Sequence, residues 1–178
     1  MKENFYVFLD FDGVLSDFRT VPNIFKIGGF LVNPNDRNAF NKESIEAVNY
    51  LIETLSLKYN TKLVLSTSWR RNFNKAKQVL LNNGLRYDGD IDLTPKLHGK
   101  KRAYEILKYL VDNQHEGSIN FVTIDDKRHL PQYFKPENCI KTSMFRALEI
   151  PQIINYLDTY HSDVMRDNPP KDFYNFLK

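Results

Sequence analysis

The stretch that most limits the fold is Phe5-Tyr6-Val7-Phe8-Leu9, which runs without a break into Asp10-Phe11-Asp12-Gly13-Val14-Leu15. A continuous apolar run rich in aromatic and β-branched residues reads as a strand buried on both faces. Two carboxylates then appear at i and i+2, with a glycine behind them. In extended backbone that spacing puts both side chains on one side. At a strand end, where the chain turns, both can point into one crevice, and open α/β sheets bind ligands in the crevice beyond the carboxyl ends of their strands. Two acids crowded there repel each other unless a cation lies between them or one keeps its proton. The plainer alternative is a polar turn after a buried strand.

The rest of the chain repeats the pattern. Leu63-Val64-Leu65 ends in Ser66-Thr67-Ser68-Trp69-Arg70, and Ile119–Ile124 ends in Asp125-Asp126. Shorter strands fit around Ile91 and at Cys139-Ile140. Between them lie helical periods. Asn41 can cap a helix with Ile45, Val48, Ile52 and Leu55 on one face, reaching about Tyr59. Phe73, Ala76 and Leu80 mark a second, with Gly84 as its stop. Ala103, Ile106, Leu107 and Leu110 mark a third over about Lys100–Val111. Ile150, Ile153, Ile154 and Leu157 mark a fourth over about Glu149–Tyr160. Strands alternating with helices imply right-handed crossovers. The expected fold is α/β, a three-layer, Rossmann-like arrangement with a mainly parallel sheet and helices on both faces.

Residues 16–41 show no period. They hold Pro22, Gly28-Gly29 and Pro34 among Phe18, Phe25, Phe30 and Phe40. They form either a lid or binding loop or a hairpin packed on the core, and they are too short for a separate cap domain. Residues 163–178, with Pro169-Pro170 and an aromatic end, read as a C-terminal tail. The whole chain, 1–178, is expected to be one domain.

Composition excludes several functions. With 42% hydrophobic and 26% charged residues the chain is not a disordered one. A net charge of +3 makes no global case for nucleic acid, so local clusters must carry any such case. The single Cys139 rules out an internal disulfide and suits a reducing compartment, here the cytoplasm. Four histidines show no zinc spacing. No signal peptide and no stretch long enough for a membrane span is evident.

Parallel strands bring Asp10 and Asp12, Ser66 and Thr67, and Asp125 and Asp126 out at one edge. Four carboxylates there make a hard, oxygen-lined site suited to Mg²⁺. Hydroxyls and amides at a helix start, as at Ser66-Thr67-Ser68, suit a phosphate, and a nearby base would balance a transferring phosphoryl group. Asp10-x-Asp12-Gly13-x-Leu15, Ser66-Thr67, a base before a helix and Asp125-Asp126 together resemble the haloacid dehalogenase-like (HAD) phosphohydrolases over about residues 5–160. Lys62–Arg70, and Thr94-Pro95 followed by Arg102 and Glu105-Ile106, resemble the capless branch found in multi-domain Swiss Army Knife RNA repair proteins. In outline that branch is similar to the phosphatase half of polynucleotide kinase/phosphatases.

The resemblance implies a phosphoric monoester hydrolase. Asp10 would be the nucleophile, forming an aspartyl-phosphate, and Asp12 the general acid and base, with its carbonyl on Mg²⁺. An acid at the Asp12 position marks the phosphatases of the family, where the transport ATPases have threonine. Ser66 and the Thr67 amide would hold the phosphate, and Asp125 and Asp126 would complete a metal site with Asp10 and Asp12. The base is one of Lys100, Lys101 and Arg102, with Lys101 or Arg102 favoured. Arg70 either reaches a phosphate or, with Trp69, serves packing and surface charge. The substrate is either a phosphorylated RNA or DNA end or a small phosphate ester or nucleotide. Arg70-Arg71-Lys75-Lys77 and Lys96–Arg102, with Trp69 and several other aromatics available for stacking, favour the first. Two readings come from other classes: a non-catalytic phospho-acceptor, against which the motif order argues, with DxD first and the acidic pair late, and a binding domain that kept the fold and lost activity, against which the intact set Asp10, Asp12, Ser66 and Asp125-Asp126 argues.

Overall fold

The computed structural model describes residues 2–17, 33, 35–113 and 119–167. Five parallel strands form one sheet: β1 (Asn4–Leu9), β2 (Asn60–Leu65), β3 (Asp92–Leu93), β4 (Asn120–Asp125) and β5 (Cys139–Lys141). Their order is β3-β2-β1-β4-β5. The chain therefore steps outward from β1 to β3, then crosses back to lay β4 on the other side of β1. That reversal is a topological switch point, and it opens a crevice between the ends of β1 and β4.

β1 alternates between two cores. Phe5, Val7 and Leu9 pack with Leu63, Leu65, Val122 and Ile124 on one face, while Tyr6 and Phe8 pack with Val64 on the other. Each side chain buried in this way contributes about 1.5–3 kcal/mol. α1 (Lys42–Lys58), α2 (Phe73–Asn82) and α4 (Ile150–Tyr160) cover the first face, and α3 (Arg102–Asn113) covers the second. Successive right-handed crossovers require this placement: α1 and α2 connect strands laid in one direction, and α3 makes the reversal.

The four expected helices are all present. Asn41 caps α1, accepting from the Glu43 N–H at 2.9 Å. α2 ends before Gly84, whose φ is +99°. Glu149 and Gln152 form a reciprocal capping box at the start of α4. One element falls in the stretch read as a tail. α5 (Ser162–Asp167) has no period of its own and is held from outside, with Val164 buried and Lys58 Nζ 2.6 Å from Asp163. Of the expected lid, residues 18–32 and 34 lie outside the described residues, as does the tail from 168 onward. The Asn41 N–H donates to the Leu15 carbonyl at 2.8 Å, tying the start of α1 to the turn after β1. No helix among the described residues is long and apolar enough to cross a membrane.

Candidate active site

Backbone pairing carries the three motif strands past the sheet in step. The Asp10 N–H donates to the Ile124 carbonyl at 3.1 Å and the Ser66 N–H to the Leu9 carbonyl at 2.9 Å. Asp10 is buried and accepts the Phe11 N–H on Oδ1 at 2.8 Å. The chain then turns tightly at Gly13, whose φ is +77°. A Cβ there would come within 2.8 Å of the Asp126 Cβ, so the turn lies directly on the second acid of the β4 end.

Asp10, Asp125 and Asp126 each bring a carboxylate oxygen within 4.8 Å of the others. Arg102 Nη1 bridges two of them, contacting Asp10 Oδ2 and lying 2.8 Å from Asp125 Oδ2. The Lys127 N–H donates to Asp125 Oδ1 at 2.9 Å. Burial pushes the Asp125 carboxyl up, the charge of Asp10 adds to it, and Arg102 pulls the other way. Burial alone would pull the Arg102 guanidinium down, but Asp10 and Asp125 outweigh it and raise it above its ordinary range. Arg102 and Lys127 against three carboxylates leave the cluster formally negative. Asp126 Oδ1 is buried and accepts no hydrogen bond, with only Lys127 Nζ approaching it, at 3.2 Å. Hard, crowded oxygens with a spare buried lone pair fit a divalent metal ion.

Asp12 is turned away from this cluster. Its Oδ1 accepts from Trp69 Nε1 at 3.2 Å and its Oδ2 from Ser68 Oγ at 3.1 Å. Burial and, after it, the charge of Asp10 raise the Asp12 carboxyl, against the pull of those two hydrogen bonds. Trp69 is set by an aromatic wedge, its ring 5.1 Å from Phe11 and 5.6 Å from Phe40. Only 3% of Trp69 is exposed, so the tryptophan expected to be available for stacking on a base is instead a fixed hydrogen-bond donor.

Ser66 Oγ is buried at the end of β2, at the same edge, with no hydrogen-bond partner among the described residues. Thr67 is buried beside it and caps the following 3-10 turn, its Oγ1 accepting from the Trp69 N–H at 3.4 Å. Of the three bases at the start of α3, Arg102 alone reaches the carboxylates. Lys100 and Lys101 are exposed, and Lys101 Nζ bonds the Tyr133 hydroxyl at 3.2 Å.

Arg70 is not a free surface charge. It donates to the Thr67 carbonyl, the Pro95 carbonyl and Glu105 Oε2, at 2.9, 3.1 and 2.6 Å. That clamp, and the part Ser68 and Trp69 play in holding Asp12, were not read from the sequence. A signal for the clamp existed: Glu105 is a lone acid on the apolar face of α3. A cavity of about 780 Å³ lies at the opposite, amino-terminal edge, lined by Lys2, Tyr59, Lys62, Arg86 and Asp88 among others, and holds none of these groups.

A family model described as the HAD domain in Swiss Army Knife RNA repair proteins matches residues 6–153. No curated protein and no solved structure matches the chain.

Proposed function

The chain belongs to the HAD domains of Swiss Army Knife RNA repair proteins, and from that premise we propose that it is a Mg²⁺-dependent phosphatase acting on phosphorylated nucleic-acid ends. The observation that carries the reading is the separation of its two acids. Asp10 lies against the Arg102 guanidinium, while Asp12 is raised by burial and held by Ser68 and Trp69. Two carboxylates with opposed environments are what an ionised nucleophile paired with a protonated acid needs.

Asp10 attacks the phosphorus, the leaving oxygen departs with the proton of Asp12, and an aspartyl-phosphate forms. Asp12, now ionised, takes a proton from water as that water attacks phosphorus and frees Asp10. Ser66 Oγ and the Thr67 amide hold the non-bridging oxygens, and the Arg102 guanidinium stabilises charge on the phosphoryl group. Asp10, Asp125 and Asp126, with the Asp12 carbonyl, would hold Mg²⁺, which when bound screens the phosphate and nucleophile from each other. The single cysteine, Cys139, is a free thiol, which suits a reducing, cytoplasmic setting.

The test is hydrolysis of p-nitrophenyl phosphate with and without EDTA, in the natural protein and in Asp10→Asn. Turnover that needs Mg²⁺ and is absent from the folded Asp10→Asn protein is expected. Near-normal activity in that variant overturns the nucleophile assignment. A 3′-phosphorylated oligonucleotide should be a better substrate than free nucleotides or sugar phosphates.

A further inference from the structure

The two segments that deliver Arg102, Asp125 and Asp126 also meet outside the pocket. The start of α3 carries Lys101 and Tyr104, and the loop after β4 carries Lys127, Arg128, His129 and Tyr133. The Tyr133 ring lies 5.6 Å from that of Tyr104 and 6.3 Å from that of His129, edge-on to both. Lys101 Nζ stands 5.5 Å from the Tyr133 ring centre and bonds its hydroxyl. These rings are not core: Tyr104 is 45% exposed and Tyr133 37%. Lys127 and Arg128 are exposed between this cluster and the acidic pair.

Exposed rings beside exposed cations, one residue from the base that reaches the nucleophile, match a ligand with both π-faces and phosphates. We propose that Tyr133 and Tyr104, with Lys101 beside them, form a stacking subsite for the nucleobase next to the terminal phosphate of a single-stranded nucleic-acid end. Stacking on aromatic side chains is tolerant of base identity, and the cations take the backbone phosphates. An acidic or phosphorylated peptide would use the cations but leave the rings without a partner. Trp69, buried against Phe11 and Phe40, cannot serve in this role. The subsite rests on the phosphatase reading of the Asp10 pocket.

The experiment compares a single-stranded 3′-phosphorylated oligonucleotide, a phosphopeptide and p-nitrophenyl phosphate as substrates of the natural protein, Tyr133→Ala, Tyr104→Ala and Tyr133→Phe. Tyr133→Ala should raise KM for the oligonucleotide about tenfold, the scale of one lost base stack, with kcat unchanged. Tyr104→Ala should act in the same direction. Tyr133→Phe keeps the ring and should stay close to the natural protein, and p-nitrophenyl phosphate turnover should be the same in all four. Unchanged oligonucleotide kinetics in Tyr133→Ala, equal losses on all substrates, or a phosphopeptide that outcompetes the oligonucleotide overturns the subsite. If none of the proteins hydrolyses any ester, the phosphatase reading has failed, and oligonucleotide binding by fluorescence anisotropy then decides the subsite separately. Binding about tenfold weaker in Tyr133→Ala supports it, and absent or equal binding overturns it.

Discussion

Arg70 and Glu105 form a buried ion pair, Nη2 to Oε2 at 2.6 Å, that joins the turn after β2 to the first turns of α3. The other Glu105 oxygen accepts the Leu97 N–H at 3.1 Å, so the loop after β3 is tied in as well. Arg102 lies three residues before Glu105, on the same side of the helix. The pair therefore sets the helix that aims Arg102 at Asp10. Removing one partner leaves a buried charge without compensation, which costs about 3–5 kcal/mol. Arg70→Ala and Glu105→Ala should each lower urea stability on that scale. Arg70→Ala/Glu105→Ala should lose less than the two single losses added, by about 0.5–3 kcal/mol. Strictly additive losses would show that the two side chains do not act as a unit.

Gly13 should tolerate no side chain. Its φ of +77° and the 2.8 Å approach of a Cβ to Asp126 act together. Gly13→Ala costs about 1–2 kcal/mol from backbone conformation alone, and relief of the clash must displace Asp126. The variant is expected to fold, to melt at a lower temperature, and to need a higher Mg²⁺ concentration for half-maximal activity. An unchanged Mg²⁺ requirement would show that Asp126 does not depend on the turn.

What the sequence made legible follows from periods and punctuation. β1, β2 and β4 announce themselves as apolar runs that stop at Asp10, Ser66 and Asp125, and parallel order then places the three stops together. The choice between Lys101 and Arg102 depends on helix phase. Lys101 continues into the exposed Tyr104 and Lys108, whereas Arg102 continues into the buried Glu105 and Tyr109. Counting forward by three and seven from each would have separated them. Trp69 and Arg70 were beyond such counting. Their partners Phe11, Phe40 and Glu105 are distant in sequence, and a tryptophan or arginine at a turn carries no local sign of what will bury it. α5 had no periodic signal because its apolar contacts, the buried Val164 and the half-buried Met165, depend on α1 and α4 already standing there.

Asp12 separates two chemical steps that a good leaving group uncouples. A p-nitrophenolate needs no proton to depart, so Asp12→Asn should still form the aspartyl-phosphate from p-nitrophenyl phosphate. It should hydrolyse it slowly, because no base activates the water. Rapid-quench experiments should show a burst of p-nitrophenol near one equivalent, followed by slow turnover. A protein with neither burst nor turnover would place Asp12 in the first step for every leaving group.

Trp69 tunes the same carboxyl. The Trp69 Nε1–H stabilises the carboxylate form of Asp12 and holds its pKa below where burial and Asp10 would put it. A general acid must be protonated, so activity on a substrate with a poor leaving group falls as pH rises through the Asp12 pKa. Trp69→Phe keeps the wedge against Phe11 and Phe40 but removes the donor, so the pKa rises and the alkaline limb of kcat/KM should move to higher pH. Ser68→Ala should move it in the same direction, and a limb that stays in place in both variants assigns it to another group.

His161 gives the fold an acid-side weakness away from the site. Its ring is buried edge-on to Phe5 and Tyr59, at 5.4 and 6.1 Å, with Nε2 3.3 Å from the Tyr156 hydroxyl. Burial lowers its pKa, with Lys58 adding to the effect and Asp163 opposing it. The unfolded chain therefore takes up the proton at a higher pH than the folded one does. Stability from this group is complete above the unfolded value of about 6.5 and falls as pH drops below it, by at most about 1.4 kcal/mol per pH unit, until the folded pKa is passed. His161→Phe keeps the ring contacts and cannot titrate. Tyr156 retains its 2.9 Å hydrogen bond to the Glu137 carbonyl in that variant. Thermal melts at pH 7.5 and 5 should show a smaller drop for His161→Phe than for the natural protein. Equal drops would show that His161 is not the source of the acid sensitivity.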